Sequence, residues 1–227
     1  MKVEVILPAA GVGRRLNTSS PKALVLLNSH PLIAHTLKVF EKNSLVDRVI
    51  VAGHESSLGA IEALVKEYKF AKVKRVVAGG KTRGDSVKNG LSILDDDTRL
   101  VVIHDAARPF LSGDVLKHSI RSAERHHAVI VAVPVKSTMK KVDLASMTVV
   151  ETLNRESIWE VQTPQVFKKE IILKAHRKRQ ESDPTDDALL VERLGIKVHI
   201  VRGEYRNIKI TTQEDLLAAE AFLRKDV

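Results

Sequence analysis

Five short apolar runs recur in the N-terminal part of this chain: Val3–Leu7, Val46–Ala52, Val73–Val77, Leu100–Ile103 and Ala128–Val133. Each is predominantly apolar, as strands covered on both faces are. Helical patterns fill the gaps. Pro31 to Asn43 carries Leu32, Ile33, Leu37, Val39 and Phe40, with Pro31 suited to a first helical turn. Ser56 to Tyr68 places Leu58, Ile61, Leu64 and Val65 on one face. A third helix follows Gly79-Gly80, from about Arg83 to Leu94, and Ser112 is an N-cap for a fourth, to about His126. This alternation restricts the chain to an α/β fold: a Rossmann-like, mostly parallel sheet flanked by helices.

The pattern changes at Pro134. From there to about Ser157, short β-like pieces at Met139–Val142 and Val149–Leu153 read as a hairpin that leaves the main sheet, an arm over about residues 134–158. Gln162–Phe167 returns to the sheet. Helices are expected over Lys169–Gln180 and Asp186–Leu194, and strands over Lys197–Val201 and Asn207–Ile210. Thr211-Thr212-Gln213-Glu214 reads as a capping box opening a last helix to about Leu223. There is no internal repeat, low-complexity stretch or linker, so residues 1–227 are read as one domain plus the arm.

In parallel sheets ligands sit at the carboxyl ends of the strands. Three polar turns follow strand ends here: Ala9-Ala10-Gly11-Val12-Gly13, Gly79-Gly80-Lys81-Thr82-Arg83 and His104-Asp105-Ala106-Ala107-Arg108. They are expected to converge on one crevice. The first is made of small residues and followed by Arg14, Arg15 and Pro21-Lys22, with Asn17–Ser20 as loop between. Small residues let a ligand approach main-chain N–H donors, and Arg and Lys complete an anion site suited to a polyphosphate. Better-known phosphate motifs do not fit. G-x-G-x-x-G needs a third glycine where Leu16 stands, and the P-loop ending Gly80-Lys81-Thr82 lacks its first glycine, since position 75 is Arg75. The protein-kinase set is absent.

Composition narrows the class. The chain has 227 residues, 44% hydrophobic, enough for a sizeable core. No apolar run reaches the 18 residues of a membrane span. There are no cysteines, which excludes disulfides and thiolate metal sites. With strand sequence beginning at once after Met1-Lys2, leaving no room for a signal peptide, this points to the cytoplasm, or to a plastid if a plant transit peptide has been removed. The net charge of +9 raises nucleic-acid binding. Against it stand only eight aromatics (one Trp, two Tyr, five Phe), no long basic run and no nucleic-acid module. Polyanionic substrates explain the same excess. His30, His35, His126 and His127 have no partners at metal spacing, Trp159 reads as packing, and Lys168-Lys169, Lys174 and Arg177-Lys178-Arg179 read as a solvated helix face.

Taken in order, the motifs resemble a family. Pro8-Ala9-Ala10-Gly11-Val12-Gly13-Arg14-Arg15 with Pro21-Lys22 is similar to the signature of nucleotide-sugar-type cytidylyltransferases. Gly79–Arg83 with Ser86–Leu91, His104–Phe110, Pro134-Val135 with Thr138-Met139-Lys140, Thr152–Arg155, Thr163-Pro164-Gln165 and Asn207–Thr211 complete that set over almost the whole chain. The combination most resembles the 2-C-methyl-D-erythritol 4-phosphate cytidylyltransferase family, which makes a cytidine diphosphate polyol from CTP in non-mevalonate isoprenoid biosynthesis.

The resemblance implies roles residue by residue. Arg15, Lys22, Arg155 and Lys209 are implied to be catalytic. Arg15 and Lys22 would hold the triphosphate and stabilise charge on its α-phosphate, and Lys209 would orient the second phosphate. Pro8, Ala9, Ala10, Gly11, Gly13, Gly80, Arg83, Ser86, Asp105 and Ala106 are implied to bind the nucleotide. Arg108, Thr138, Thr163 and Thr185 are implied to bind the polyol phosphate, with Thr138 and Arg155 reaching across a homodimer built through the β-arm. The implied cofactor is Mg2+ or another divalent cation, with Asp105 as its candidate ligand; the implied partners are CTP, a polyol phosphate and a second copy of the chain, with no nucleic acid and no membrane. An attacking phosphate oxygen is already anionic and needs no general base, which suits a chain without a Ser-His-Asp arrangement. The chain departs from family habit at Ala23, where relatives often have Gln, and at Arg206-Asn207, where some have Asp. Ribitol-5-phosphate cytidylyltransferase and a non-catalytic nucleotide-binding module remain open at this point.

Overall fold

The computed structural model describes residues 1–16, 21–179 and 184–224, with only the backbone of Arg14. The Asn17–Ser20 loop, the Arg14 side chain and the helix end expected at Gln180 lie outside these residues. In chain order the elements are β1 (Lys2–Ala9), a two-residue ladder of β2 (Leu26–Leu27) with β3 (His30–Pro31), α1 (Leu32–Lys42), β4 (Arg48–Gly53), α2 (Leu58–Glu67), β5 (Val73–Ala78), α3 (Arg83–Leu91), β6 (Thr98–Ile103), α4 (Gly113–His126) and β7 (Ala128–Pro134). There follow the hairpin β8 (Lys140–Asp143) and β9 (Thr148–Thr152), then β10 (Trp159–Lys168), α5 (Lys169–Arg177), α6 (Asp187–Glu192), β11 (His199–Arg202) and α7 (Gln213–Arg224).

Seven strands form one sheet in the order β11-β7-β10-β6-β1-β4-β5. All pairings are parallel except those of β10, which runs antiparallel between β6 and β7. The α/β expectation holds, with one strand reversed. From β1 the chain builds β4 and β5 on one side, then crosses through α3 to β6 on the other. The loops after β1 and β6 therefore flank the point where the winding reverses, which is where such sheets open a crevice.

Alternation along each strand divides the core. Val3, Val5 and Leu7 of β1 face one cluster with Leu37 and Phe40 of α1, Ile61 of α2 and Leu116 and Ile120 of α4. Ile6 faces the opposite cluster with Val87 of α3, Phe167 of β10, Ile172 of α5 and Leu190 of α6. A third, smaller cluster sits at the strand ends: Leu16, Leu27, Leu32, Ala107, Ile210 and Ala219 of α7. It ties the small-residue loop, the third polar turn and the C-terminal helix into one body.

Several boundaries differ from expectation. Asn207–Ile210 is not a strand: the Asn207 amide donates to Thr163 O (2.8 Å) and Gln162 Oε1 (3.2 Å), and Ile210 N–H donates to Ala107 O (2.9 Å). Side-chain bonds to a turn replace a ladder. α3 ends at Leu91 rather than Leu94, with Ile93 N–H turned back to Gly90 O. The last helix is capped one residue later than expected: Thr212 Oγ1 accepts from Asp215 N–H, and Asp215 Oδ2 accepts from the N–H groups of Thr211 and Thr212. α2 is preceded by a 3-10 turn, Glu55–Ser57, and β10 starts at Trp159, before the expected Gln162.

The hairpin β8–β9 is a sheet of its own and is exposed along both strands. Leu144 is 82% exposed, Met147 75%, and Val149 and Val150 60% each. Among the described residues no helix is long and apolar enough to cross a membrane.

Candidate active site

The site begins with the turn that β1 makes at the end of the sheet. Gly13 has φ +67°, a left-handed value that favours glycine, and a Cβ there would stand 3.0 Å from Lys22 Cβ. Lys22 N–H donates to Gly11 O at 3.3 Å and Leu16 N–H to Gly13 O at 2.8 Å, so Lys22 is folded back against the glycines. Leu16 is fully buried, and its carbonyl accepts from the Gln213 side chain of α7. At Gly79 a Cβ would lie 2.5 Å from Ala10 Cβ and 2.8 Å from Ser86 Oγ. The second turn therefore presses directly on the first. Thr82 and Asp85 form a true capping box at the start of α3, and Gly80 N–H donates to Ser86 Oγ at 3.1 Å.

These turns enclose a cavity of about 320 Å3. The first turn supplies Pro8, Ala9, Ala10, Gly11, Gly13, Arg15 and Lys22. The second supplies Gly80, Arg83 and Ser86, together with Lys81 and Thr82. Asp105, Ala106 and Ala107 close it from β6, and Lys209 and Thr211 from the segment before α7. Five cations thus face one carboxylate across a wall of small residues.

That carboxylate is held from several sides. Arg83 Nε donates to Asp105 Oδ1 at 2.9 Å, Lys209 Nζ lies 2.8 Å from Oδ2, and Arg108 Nε lies 3.7 Å from Oδ2. Burial opposes its charge, but Arg83 and Lys209 outweigh burial and hold it far below the usual carboxylate range. Burial likewise opposes the Arg83 charge, and Asp187 and Asp105 more than compensate, raising its pKa. Lys22 is different. Burial, reinforced by the Lys209 charge, lowers it to about 8. It is a cation with too little negative charge around it, and an incoming polyanion would supply what is missing.

Behind Asp105 the polarity of each hydrogen bond can be derived. A carbonyl only accepts, so His104 Nε2 carries the hydrogen and donates to Arg108 O at 3.1 Å. His104 Nδ1 then accepts from the Thr163 hydroxyl (3.0 Å), whose oxygen accepts from Asp105 N–H (3.1 Å). Burial lowers His104 to about 4, so it is neutral near pH 7 and fixes the Asp105 backbone rather than moving protons. Arg108 lies under the wall, donating from Nη1 to Asn207 O at 2.8 Å; burial lowers its pKa.

Most residues singled out from the sequence meet here, and some do not. Thr163 supports Asp105 without lining the cavity. Thr138 and Arg155 are exposed on the arm, Arg155 Nη1 donating to Lys136 O at 3.1 Å, and Thr185 is exposed in the turn before α6. None of the three lines the cavity of its own chain. Lys81, Thr82 and Thr211 were missed, although each sits inside a motif already noted. Arg206 donates from Nη2 to Phe222 O at 2.7 Å and lies over the Phe110 and Phe222 rings, 5.5 and 5.4 Å from their centroids. It packs α7 and brings no carboxylate to the site.

A doubly wound sheet with a cation-rich, small-residue cavity at its switch point defines this chain as an α/β nucleotidyltransferase. The family model described as "IspD: 2-C-methyl-D-erythritol 4-phosphate cytidylyltransferase" matches residues 3–225. The chain belongs to that family. Proteins with this description from Geotalea uraniireducens and Alkaliphilus metalliredigens are 47% and 45% identical to it, over 99% of this chain and 97% and 95% of their own. Among solved structures, the 4-diphosphocytidyl-2C-methyl-D-erythritol synthase of Anaerococcus prevotii superposes with a TM-score of 0.87 at 33% identity, covering 98% of this chain and 96% of its own. The 2-C-methyl-D-erythritol 4-phosphate cytidylyltransferase of Thermus thermophilus gives 0.81 at 31%, covering 99% and 100%. These likenesses do not favour the ribitol 5-phosphate or non-catalytic readings.

Proposed function

We propose that this cavity transfers CMP from CTP to 2-C-methyl-D-erythritol 4-phosphate, releasing pyrophosphate, as a step of non-mevalonate isoprenoid biosynthesis. The observation that carries this reading is the set of Arg15, Lys22, Lys81, Arg83 and Lys209 around a wall of small residues with a single acid. A phosphate oxygen of the polyol attacks the α-phosphorus of CTP. The new P–O bond forms as the α,β-bridging P–O bond breaks, and pyrophosphate leaves with the electron pair. The nucleophile is already ionised, so no base is required, and His104 is not asked to be one. The obstacle is repulsion between two phosphoryl compounds, and fixed cations offset it without reorganising.

In this reading Arg15 and Lys22 hold the triphosphate and meet charge developing at the α-phosphate. Pro8, Ala9, Ala10, Gly11 and Gly13 let it approach the backbone. Gly80, Arg83, Ser86 and Ala106 lie along the nucleoside, and Lys209 orients the second phosphate. Arg108 and Thr163 act on the polyol side through Asp105 and its backbone.

Among the described residues no group of three or more His, Asp or Glu side chains is placed to hold a metal. The carboxylate lining the cavity, Asp105, already holds Arg83 and Lys209, so it would add at most one protein ligand to a Mg2+ arriving with the triphosphate. When bound, the ion neutralises phosphate charge. Residues 1–227 act as one nucleotidyltransferase domain, and the exposed apolar hairpin pairs two copies, bringing Thr138 and Arg155 of each to the other's cavity. Thr185 is read as a further contact of the polyol phosphate.

Purified protein with CTP and Mg2+ should release pyrophosphate with 2-C-methyl-D-erythritol 4-phosphate and far less with ribitol 5-phosphate. Faster turnover of ribitol 5-phosphate, or no turnover of either, overturns the assignment.

A further inference from the structure

Beside the charged wall of the cavity, the reaction leaves two buried ionisable side chains without a task. Asp187, in the first turn of α6, is 0% exposed, and His176, near the end of α5, is buried against it. Together they continue the charged wall inward. His176 Nε2 donates to Asp187 Oδ1 at 3.0 Å, and Arg83 Nη1 donates to Asp187 Oδ2 at 2.7 Å. The other edge of Arg83 reaches Asp105, whose second oxygen holds Lys209. Gln165 anchors the inner end: its Oε1 accepts from the N–H groups of Asp187 (3.1 Å) and Ala188 (3.2 Å), while its Nε2 donates to Asp186 (2.7 Å).

The geometry has a consequence for Lys209. A guanidinium beside a lone carboxylate tends to take both of its oxygens in a bidentate pair. Here Arg83 is shared between two carboxylates, so it occupies only Oδ1 of Asp105. Stability does not demand this arrangement, because apolar side chains of similar volume commonly stabilise as well as a buried ion pair.

We propose that Asp187, oriented by His176 and Gln165, is a positioning residue for nucleotidyl transfer: it holds Arg83 back, so that Asp105 keeps one oxygen with which to aim Lys209 into the cavity. This rests on the reading of the cavity as the cytidylyl-transfer site. Removing the Asp187 charge lets Arg83 settle fully on Asp105 and sets Lys209 loose, while the remaining nucleotide contacts stay in place. The loss falls on kcat more than on the KM for CTP.

Steady-state kinetics of the whole protein with CTP, Mg2+ and 2-C-methyl-D-erythritol 4-phosphate test this, beginning with the wild type. Asp187→Asn, which keeps the shape, should lower kcat about tenfold, as loss of a supporting partner around a functional group does, with the CTP KM changed less than about threefold. The same substitution in a Lys209→Ala background should add less than about a twofold effect, because the two act through one contact. His176→Gln still donates to Asp187 and should stay within about twofold of wild type, whereas His176→Leu should lose several-fold. Unchanged kcat in Asp187→Asn, or additive losses with Lys209→Ala, overturns the proposal. If Asp187→Asn does not fold, the His176 pair decides: equal kcat for Gln and Leu overturns it. An inactive wild type defeats the reading of the cavity and this proposal with it; an active wild type with indifferent variants defeats the proposal alone.

Discussion

The charged wall behind the cavity and the β8–β9 hairpin handle unfavourable surface in opposite ways. Behind the cavity, buried charges are matched within one chain: Arg83 lies between Asp105 and Asp187, and Lys209 rests on Asp105. On the hairpin, Leu144, Met147, Val149 and Val150 stand in solvent, and the Arg155 guanidinium donates to the backbone carbonyl of Lys136 rather than to a carboxylate. The first region is finished by its own sequence. The second exposes four large apolar side chains, which suits the association proposed for the arm. The contrast teaches where a single chain suffices to build this site and where the proposed dimer would have to supply the rest.

The largest expected effect lies in the finished region. Lys22→Ala removes a preorganised cation and should lower kcat/KM for CTP by about 10²–10³. Steady-state rates that move less than threefold would break the view that this wall is complete for the nucleotide.

Arg155→Ala tests the unfinished region. It should reduce kcat/KM for the polyol phosphate by about 1.5–3 kcal/mol of lost charge-assisted binding, leaving the KM for CTP unaltered. Mixing Arg155→Ala with Lys22→Ala subunits should return activity, because in the proposed dimer each hybrid would contain one intact cavity served by one intact arm. Verified hybrids that stay inactive would place Arg155 outside the shared site.

A pH profile sharpens the contrast within the cavity itself. Lys22 is lowered to about 8, mainly by burial and then by the Lys209 charge, so its cationic form is lost as pH rises through that value. CTP binding and kcat/KM should therefore fall above about pH 8, by about tenfold per unit at the limit. Lys22→Arg, which stays charged, should flatten that limb even at a reduced rate. A wild-type profile level to pH 10 would mean that Lys22 is not the group that matters.

The smallest effect belongs to the hairpin. Leu144→Ser with Met147→Ser should weaken self-association by sedimentation while changing the stability of the dilute chain by only about 0.5 kcal/mol, as exposed substitutions do. A large loss in the dilute chain would show that these side chains pack within one copy.

How much of this could be read beforehand follows from the range of each interaction. The alternation of apolar runs with amphipathic helices is local, and it placed β1, β4, β5, β6 and β7 within a residue or two. The three polar turns were legible as one crevice because strand ends of a parallel sheet share an edge. Asn207–Ile210 was not. Its apolar-polar alternation reads as a strand, but the Asn207 amide is bound to the Thr163 turn, a partner 44 residues away. Asp187 and His176 gave no signal either, since a helical Asp and His look like solvated surface until α5 and α6 are packed on β10.

The sequence by itself determined the class of fold, the small-residue loop with its cations, and the membership of a family, because those depend on short patterns and their order. Only the tertiary structure decided which charges neutralise one another. Whether Arg83 is shared by two carboxylates, and whether Lys22 lacks one, depends on distances between segments far apart in the chain. Electrostatic energy inside a protein depends on those distances and on burial.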